Sequence, residues 1–147
     1  MHVEEEAMND NIRDVMTDSP CAVDLTTSIA VAARAMREND IGDIIVLDGD
    51  RLYGILTDRD IVVRGLAEDK DPGTTAVGEI CSRDLTTVQP TDSVASAVRV
   101  MRERALRRLP VVDEHGSVIG IVSLGDLAVE RDPRSALADI SAAPPNI

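Results

Sequence analysis

Two short stretches carry side chains suited to holding a polar ligand. They are Gly54-Ile55-Leu56-Thr57-Asp58-Arg59-Asp60-Ile61 and Gly120-Ile121-Val122-Ser123-Leu124-Gly125-Asp126-Leu127. Each reads glycine, two aliphatics, a hydroxyl residue, two variable residues, an aspartate and an aliphatic. The aliphatic pair suits the end of a buried strand. The hydroxyl then falls where a helix begins, because a Ser or Thr oxygen accepts the free backbone N–H groups there. The aspartate falls in the first turn, where negative charge complements the helix dipole. Each copy thus sets a hydroxyl and a carboxylate side by side at a strand end. For one copy alone a plain helix cap accounts for the residues equally well. Two copies in matching positions favour a ligand site.

Other chemistries are less well supplied. The 147 residues are 44% hydrophobic and 29% charged, the balance of an ordinary globular domain. There is no Trp or Phe, and Tyr53 is the one tyrosine, so the core must be built from Val, Ile, Leu, Ala and Met. A net charge of −12 argues against nucleic acid and anionic membranes as partners. Cys21 and Cys81 form no CxxC and no metal spacing, so no metal site is expected. Asp58 and Asp60 read as a solvated acidic helix start rather than a magnesium site. There is no glycine-rich phosphate loop, and neither His2 nor His115 has a nucleophile near it in sequence, so an enzyme is not expected. The N-terminus lacks a cationic start, and no stretch approaches the roughly 20 apolar residues of a membrane span, so a cytoplasmic protein is expected.

The elements that must position the two motifs repeat along the chain. Ile29, Ala33 and Met36 recur at the spacing of one helix face after Thr26 and Thr27, and Asn39 and Asp40 end that helix. Ile44 to Leu47 is an aliphatic run of strand length, Asp48-Gly49-Asp50 is a turn, and Tyr53 to Leu56 is the returning strand. A helix is expected from about Asp58 to Arg64. Val88, Ser93, Met101 and Asp113 stand 65 residues after Val23, Ser28, Met36 and Asp48. The second helix carries Val94, Ala97, Val98 and Met101 on one face, with Thr91 or Asp92 as its cap. Strands at Leu109 to Val112 and Val118 to Val122 follow. The expected fold is α+β, two β-α-β-β-α units packed as a pseudo-twofold pair. The expected division is a leader at 1–11, unit one at 12–66, a linker at 67–77, unit two at 78–130 and a tail at 131–147, with one helical turn near Ala136 to Ile140. One such unit alone is small for a stable core, which is the physical reason to expect the two to share one.

The tandem units, the Leu109-Pro110-Val111-Val112-Asp113 strand and the Gly-aliphatic-aliphatic-Thr/Ser-x-x-Asp endings resemble a pair of CBS (cystathionine-beta-synthase) domains over roughly residues 12–130. As a stand-alone pair, a Bateman module, the chain is similar to the bacterial hypoxic response protein type. The resemblance implies a regulatory sensor that binds AMP, ADP, ATP or S-adenosylmethionine in a central cleft. It gives the ribose hydroxyls to Asp60 and Asp126, ribose or phosphate to Thr57 and Ser123, and the adenine slot to Ile55 and Ile121. It also brings residues of the other unit to the phosphate: Arg107 and Arg108 for the Thr57/Asp60 site, Gly42 and Asp43 for the Ser123/Asp126 site. A unit charge about 6 Å away at an effective dielectric near 20 is worth roughly 3 kcal/mol, so the two sites are expected to be unequal. The first should prefer a phosphorylated ligand, and the second should be empty or take a neutral or cationic one. The resemblance further implies a homodimer joined through helices, with Ile61 and Leu127 on the motif helices and apolar residues of the longer helices as candidate contacts, and a protein partner. The alternative is a structural or protein-interaction dimer with unoccupied clefts.

Overall fold

A computed structural model describes residues 10–125 and 127. Contacts divide the chain into two compact units, 20–85 and 1–19 with 86–147. Unit 20–85 holds β2 (Ala22–Asp24), α2 (Ile29–Asn39), β3 (Asp43–Asp48) and β4 (Arg51–Thr57), then a helical stretch. Its sheet order is β2-β3-β4, parallel then antiparallel. The other unit holds α1 (Ile12–Val15), β1 (Thr17–Asp18), α4 (Val94–Arg104), β5 (Arg108–Val112) and β6 (Val118–Ser123). Its sheet order is β1-β6-β5.

The repeat survives in three dimensions. Ile29, Ala32, Met36, Ile44, Val46 and Leu56 form one buried cluster, and Val94, Ala97, Met101, Leu109, Val111 and Val122 form the other at matching positions. Each long helix turns its apolar stripe onto one sheet face, as its 3.6-residue spacing requires. The cap positions differ from expectation by a residue or more. Ser28 and Ser93 are the N-caps, their hydroxyls accepting from the N–H groups of Val31 at 3.3 Å and Ser96 at 3.1 Å. Asp40 ends α2 in the left-handed conformation. The first strand of the second repeat shrinks to a single parallel bridge from Val88 to Val111.

The compact units group the flanking segments differently from their order along the chain. Residues 12–19 belong with the second repeat, and 67–85 stay with the first. Ile12 is fully buried in the second repeat's cluster, and Val77 fills the equivalent slot in the first. Thr17 pairs with Ile121 on β6, and Ser82 pairs with Ile55 on β4. Each sheet edge has backbone groups to satisfy, and the segment preceding one repeat satisfies the edge of the other. The expected turn near residues 136–140, and most of the expected leader and tail, lie outside the described residues.

The β5–β6 hairpin is closed by Asp113, whose Oδ1 accepts from the N–H groups of His115 at 2.9 Å and Ser117 at 3.0 Å. The Ser117 hydrogen bond, with that of His115 and the nearby imidazole, holds this carboxyl below its ordinary value of 3.8. Its contribution to stability is therefore present above pH 3.8 and lost as pH falls through the folded value. An NMR titration should show the Asp113 carboxyl titrating below the ordinary aspartate value of 3.8. In Asp113→Asn, the acid-dependent loss of the Ser117 amide shift should vanish.

Candidate functional site

Thr57 ends β4 and caps the next helical turn, α3 (Asp58–Asp60). The Thr57 hydroxyl accepts from the Asp60 N–H at 3.1 Å, and Asp60 Oδ2 accepts from the Thr57 N–H at 3.0 Å. This is a reciprocal capping box with aspartate in the third position. The cap and the candidate ligand residues are thus the same groups. Among the described residues nothing donates to Asp60 Oδ1, and Asp60 is half-buried. The expected helix from 58 to 64 is one α turn, then a π-type stretch (Ile61–Gly65) and a 3-10 turn (Leu66–Glu68).

Strand alternation decides which neighbours share the face with Thr57. Register places Asp43 opposite Thr57 and Ile45 opposite Ile55. In the second repeat Arg108 lies opposite Ser123 and Pro110 opposite Ile121. Asp43, Ile45, Ile55 and Thr57 therefore share one face, turned away from the buried cluster of Ile44, Val46 and Leu56. Arg108, Pro110, Ile121 and Ser123 share the corresponding face. The loop before each inner strand is tied to its own motif: the Asp58 N–H donates to the Gly42 carbonyl at 2.9 Å, and the Leu124 N–H to the Arg107 carbonyl at 2.7 Å. Arg107 and Arg108 lie in the other compact unit from Thr57 and Asp60. Asp126 lies outside the described residues.

Sequence reasoning missed the stretch 80–83 as a neighbour of the motif. Ser82 and Ile55 exchange backbone hydrogen bonds at 2.9 and 3.0 Å, and Cys81 lies against Gly54. Burial raises the Cys81 thiol above its ordinary value, and the Asp60 carboxylate adds to the rise while Arg83 opposes it. The signal was available, since Val77 to Arg83 stands 65 residues after Ile12 to Asp18. Of the two candidate contact residues, Leu127 is buried in the second cluster, and Ile61 is half-buried against the first. Among the described residues the large apolar side chains left exposed are Val31, Val62, Val63 and Leu66.

Comparison with known proteins gives the family. The CBS domain pattern matches residues 12–66 and again 77–131. The chain belongs to the CBS-domain family. Hypoxic response protein 1 of Mycobacterium tuberculosis is 41% identical over 117 residues, covering 79% of this chain and 81% of that protein. A crystal structure of Hypoxic Response Protein I, described with two coordinated zinc ions, has a TM-score of 0.72 at 39% identity, covering 80% of this chain and 96% of the other. The CBS domain pair of MJ0100 in complex with 5-methylthioadenosine and S-adenosyl-L-methionine has a TM-score of 0.74 at 25% identity, covering 85% and 98%. CBSX2 in complex with AMP has a TM-score of 0.70 at 26% identity, covering 81% and 93%. In this CBS-domain protein, Cys21 and Cys81 are free thiols. Among its described residues no three His, Cys, Asp or Glu side chains gather as a metal site, and no helix is long and apolar enough to cross a membrane.

Proposed function

We propose that this CBS-domain protein is a regulatory module, not an enzyme, which binds AMP, ADP, ATP or S-adenosylmethionine through its two motif faces and signals through a partner or its own dimer. The observation that supports this most is the division of labour within Asp60. One carboxylate oxygen fixes the cap, no described residue donates to the other, and Thr57, which shares that cap, lies on one strand face with Ile55. A ribose diol needs such an acceptor, and an adenine ring needs an apolar wall. The solved CBS pairs with AMP and with S-adenosylmethionine support the ligand class. Arg107 and Arg108 are proposed to meet the phosphate of the ligand held by Thr57 and Asp60. Ser123 and Asp126, with Asp43, are proposed to take a neutral or cationic ligand. The test is thermal unfolding with AMP, ADP, ATP, NADH and S-adenosylmethionine. A true ligand at 100 times its Kd should stabilise by about 2.7 kcal/mol. Arg108→Ala should weaken AMP more than S-adenosylmethionine.

A second reading, a homodimer or protein-interaction scaffold with empty motifs, is favoured by the exposed Val62, Val63 and Leu66 on one helical stretch. Silence across the ligand panel together with a dimer in native mass spectrometry would select it.

A further inference from the structure

The stretch Ile80-Cys81-Ser82-Arg83 joins the two repeats in sequence, yet two contacts hold it against the strand that ends in Thr57 and a third holds it to the helical stretch that follows. Ser82 pairs with Ile55, two residues before Thr57. Arg83 donates through Nε to the Tyr53 carbonyl at 3.1 Å and stacks its guanidinium 3.7 Å from the Tyr53 ring centre. Arg64, four residues after Asp60 on the motif's own helical stretch, donates through Nη1 to the carbonyls of Ile80 at 3.1 Å and Cys81 at 3.3 Å. The same short helical stretch thus carries the cap at one end and a cation gripping the joining stretch at the other. The π-type turn between them, Ile61–Gly65, buries Gly65 against Ile29 and Ile80. Displacing the stretch 80–83 would therefore disturb both Ile55 and the helical turn that presents Asp60.

We propose that Arg64 is a positioning residue for the ligand site. It clasps the 80–83 stretch to the motif helix, so that this stretch and the Thr57–Asp60 cap move as one element, which a bound ligand tightens. The coupling rests on the adenosine-binding reading above; the clasp itself does not. Arg64 acts through the segment it holds and needs no contact with the ligand. The consequence is reciprocal: ligand protects the joining stretch, and the clasp raises ligand affinity.

Cys81 reports on the docking, because it is buried at 5% exposure and must be uncovered to react. In a Cys21→Ser background, the labelling of Cys81 by a thiol-disulfide reagent is timed for the full chain, with and without AMP or S-adenosylmethionine. Ligand binding is followed separately by calorimetry. Arg64→Met should speed labelling about tenfold, as for one charge-assisted hydrogen bond lost, and Arg64→Lys should speed it less. A ligand that calorimetry shows to bind should slow labelling about tenfold with Arg64 in place and much less in Arg64→Met, whose affinity should also be lower. A merely structural arginine would leave the ligand's protection factor the same in both proteins, and that result overturns the coupling. Equal labelling rates without ligand, with native circular dichroism in both proteins, overturn the clasp. If calorimetry shows no ligand bound at all, the adenosine reading falls and the coupling with it, while the labelling ratio still decides the clasp.

Discussion

Gly54→Ala should destabilise unit 20–85 by about 3 kcal/mol, the upper end of the usual cost of overpacking. The reason is a close approach and not an unusual backbone angle. A methyl at Gly54 would stand 2.6 Å from the Ser82 carbonyl oxygen and 2.7 Å from Cys81 Sγ. The first contact is with backbone that is itself bonded to Ile55, so it cannot swing aside. Something must give, and the candidates are the Ser82–Ile55 bridge or the β3–β4 ladder. Gly120→Ala should cost less, because its shortest contact, 2.6 Å, is with the flexible Met16 Sδ, and the Thr17 carbonyl follows at 2.9 Å. Met16→Ala should therefore recover part of the Gly120→Ala loss, whereas Cys81→Ala should recover little of the Gly54→Ala loss. Gly49→Ala is the control for backbone freedom alone: its φ is +66°, with nothing within 4 Å of an added methyl, and it should cost about 1 kcal/mol. Urea unfolding of the variants gives the order directly. A Gly54→Ala protein as stable as wild type would mean that the stretch 80–83 is not packed on β4.

Those glycines show where the sequence was legible and where it was not. The repeated pattern of aliphatics fixed the long helices and the inner strands, because one buried stripe and one buried sheet face leave little freedom in register. The fold class and the family followed from the same repeat. Gly54 and Gly120 were visible as motif positions, but their physical reason was not, since it lies in residues about 30 and 100 positions away in the chain. The exchange of leading segments was hidden for a related cause. Ile12 and Val77 look alike in sequence, and nothing local says which sheet edge each will satisfy. Leu127 was misplaced on the surface because an aliphatic after the motif aspartate fits either face of a short helix. The π-type stretch half-buries Ile61 and leaves Val62 and Val63 outside, with Leu66 of the following 3-10 turn. Thr57 and Asp60 were legible as a pair, and the structure makes them one hydrogen-bonded unit.

On the proposed function, Asp60→Asn should weaken AMP binding by roughly 10- to 150-fold while leaving the fold intact. The range is that of one hydrogen bond to a charged acceptor, about 1.5–3 kcal/mol, at about 1.4 kcal/mol per tenfold. The substitution separates two roles that one carboxylate performs. An asparagine carbonyl can still accept from the Thr57 N–H where Asp60 Oδ2 does now, at 3.0 Å, so the cap persists. The atom in the other position becomes an amide donor without charge, and a ribose hydroxyl loses its anionic acceptor. Thr57→Val divides the roles the other way. It removes the oxygen that accepts from the Asp60 N–H, which should cost about 1 kcal/mol of stability, and it keeps the carboxylate charge. Calorimetric AMP titration paired with urea unfolding of both variants then reads the two effects apart. Should Asp60→Asn bind AMP as wild type does while Thr57→Val only destabilises, the motif is a helix cap and nothing more.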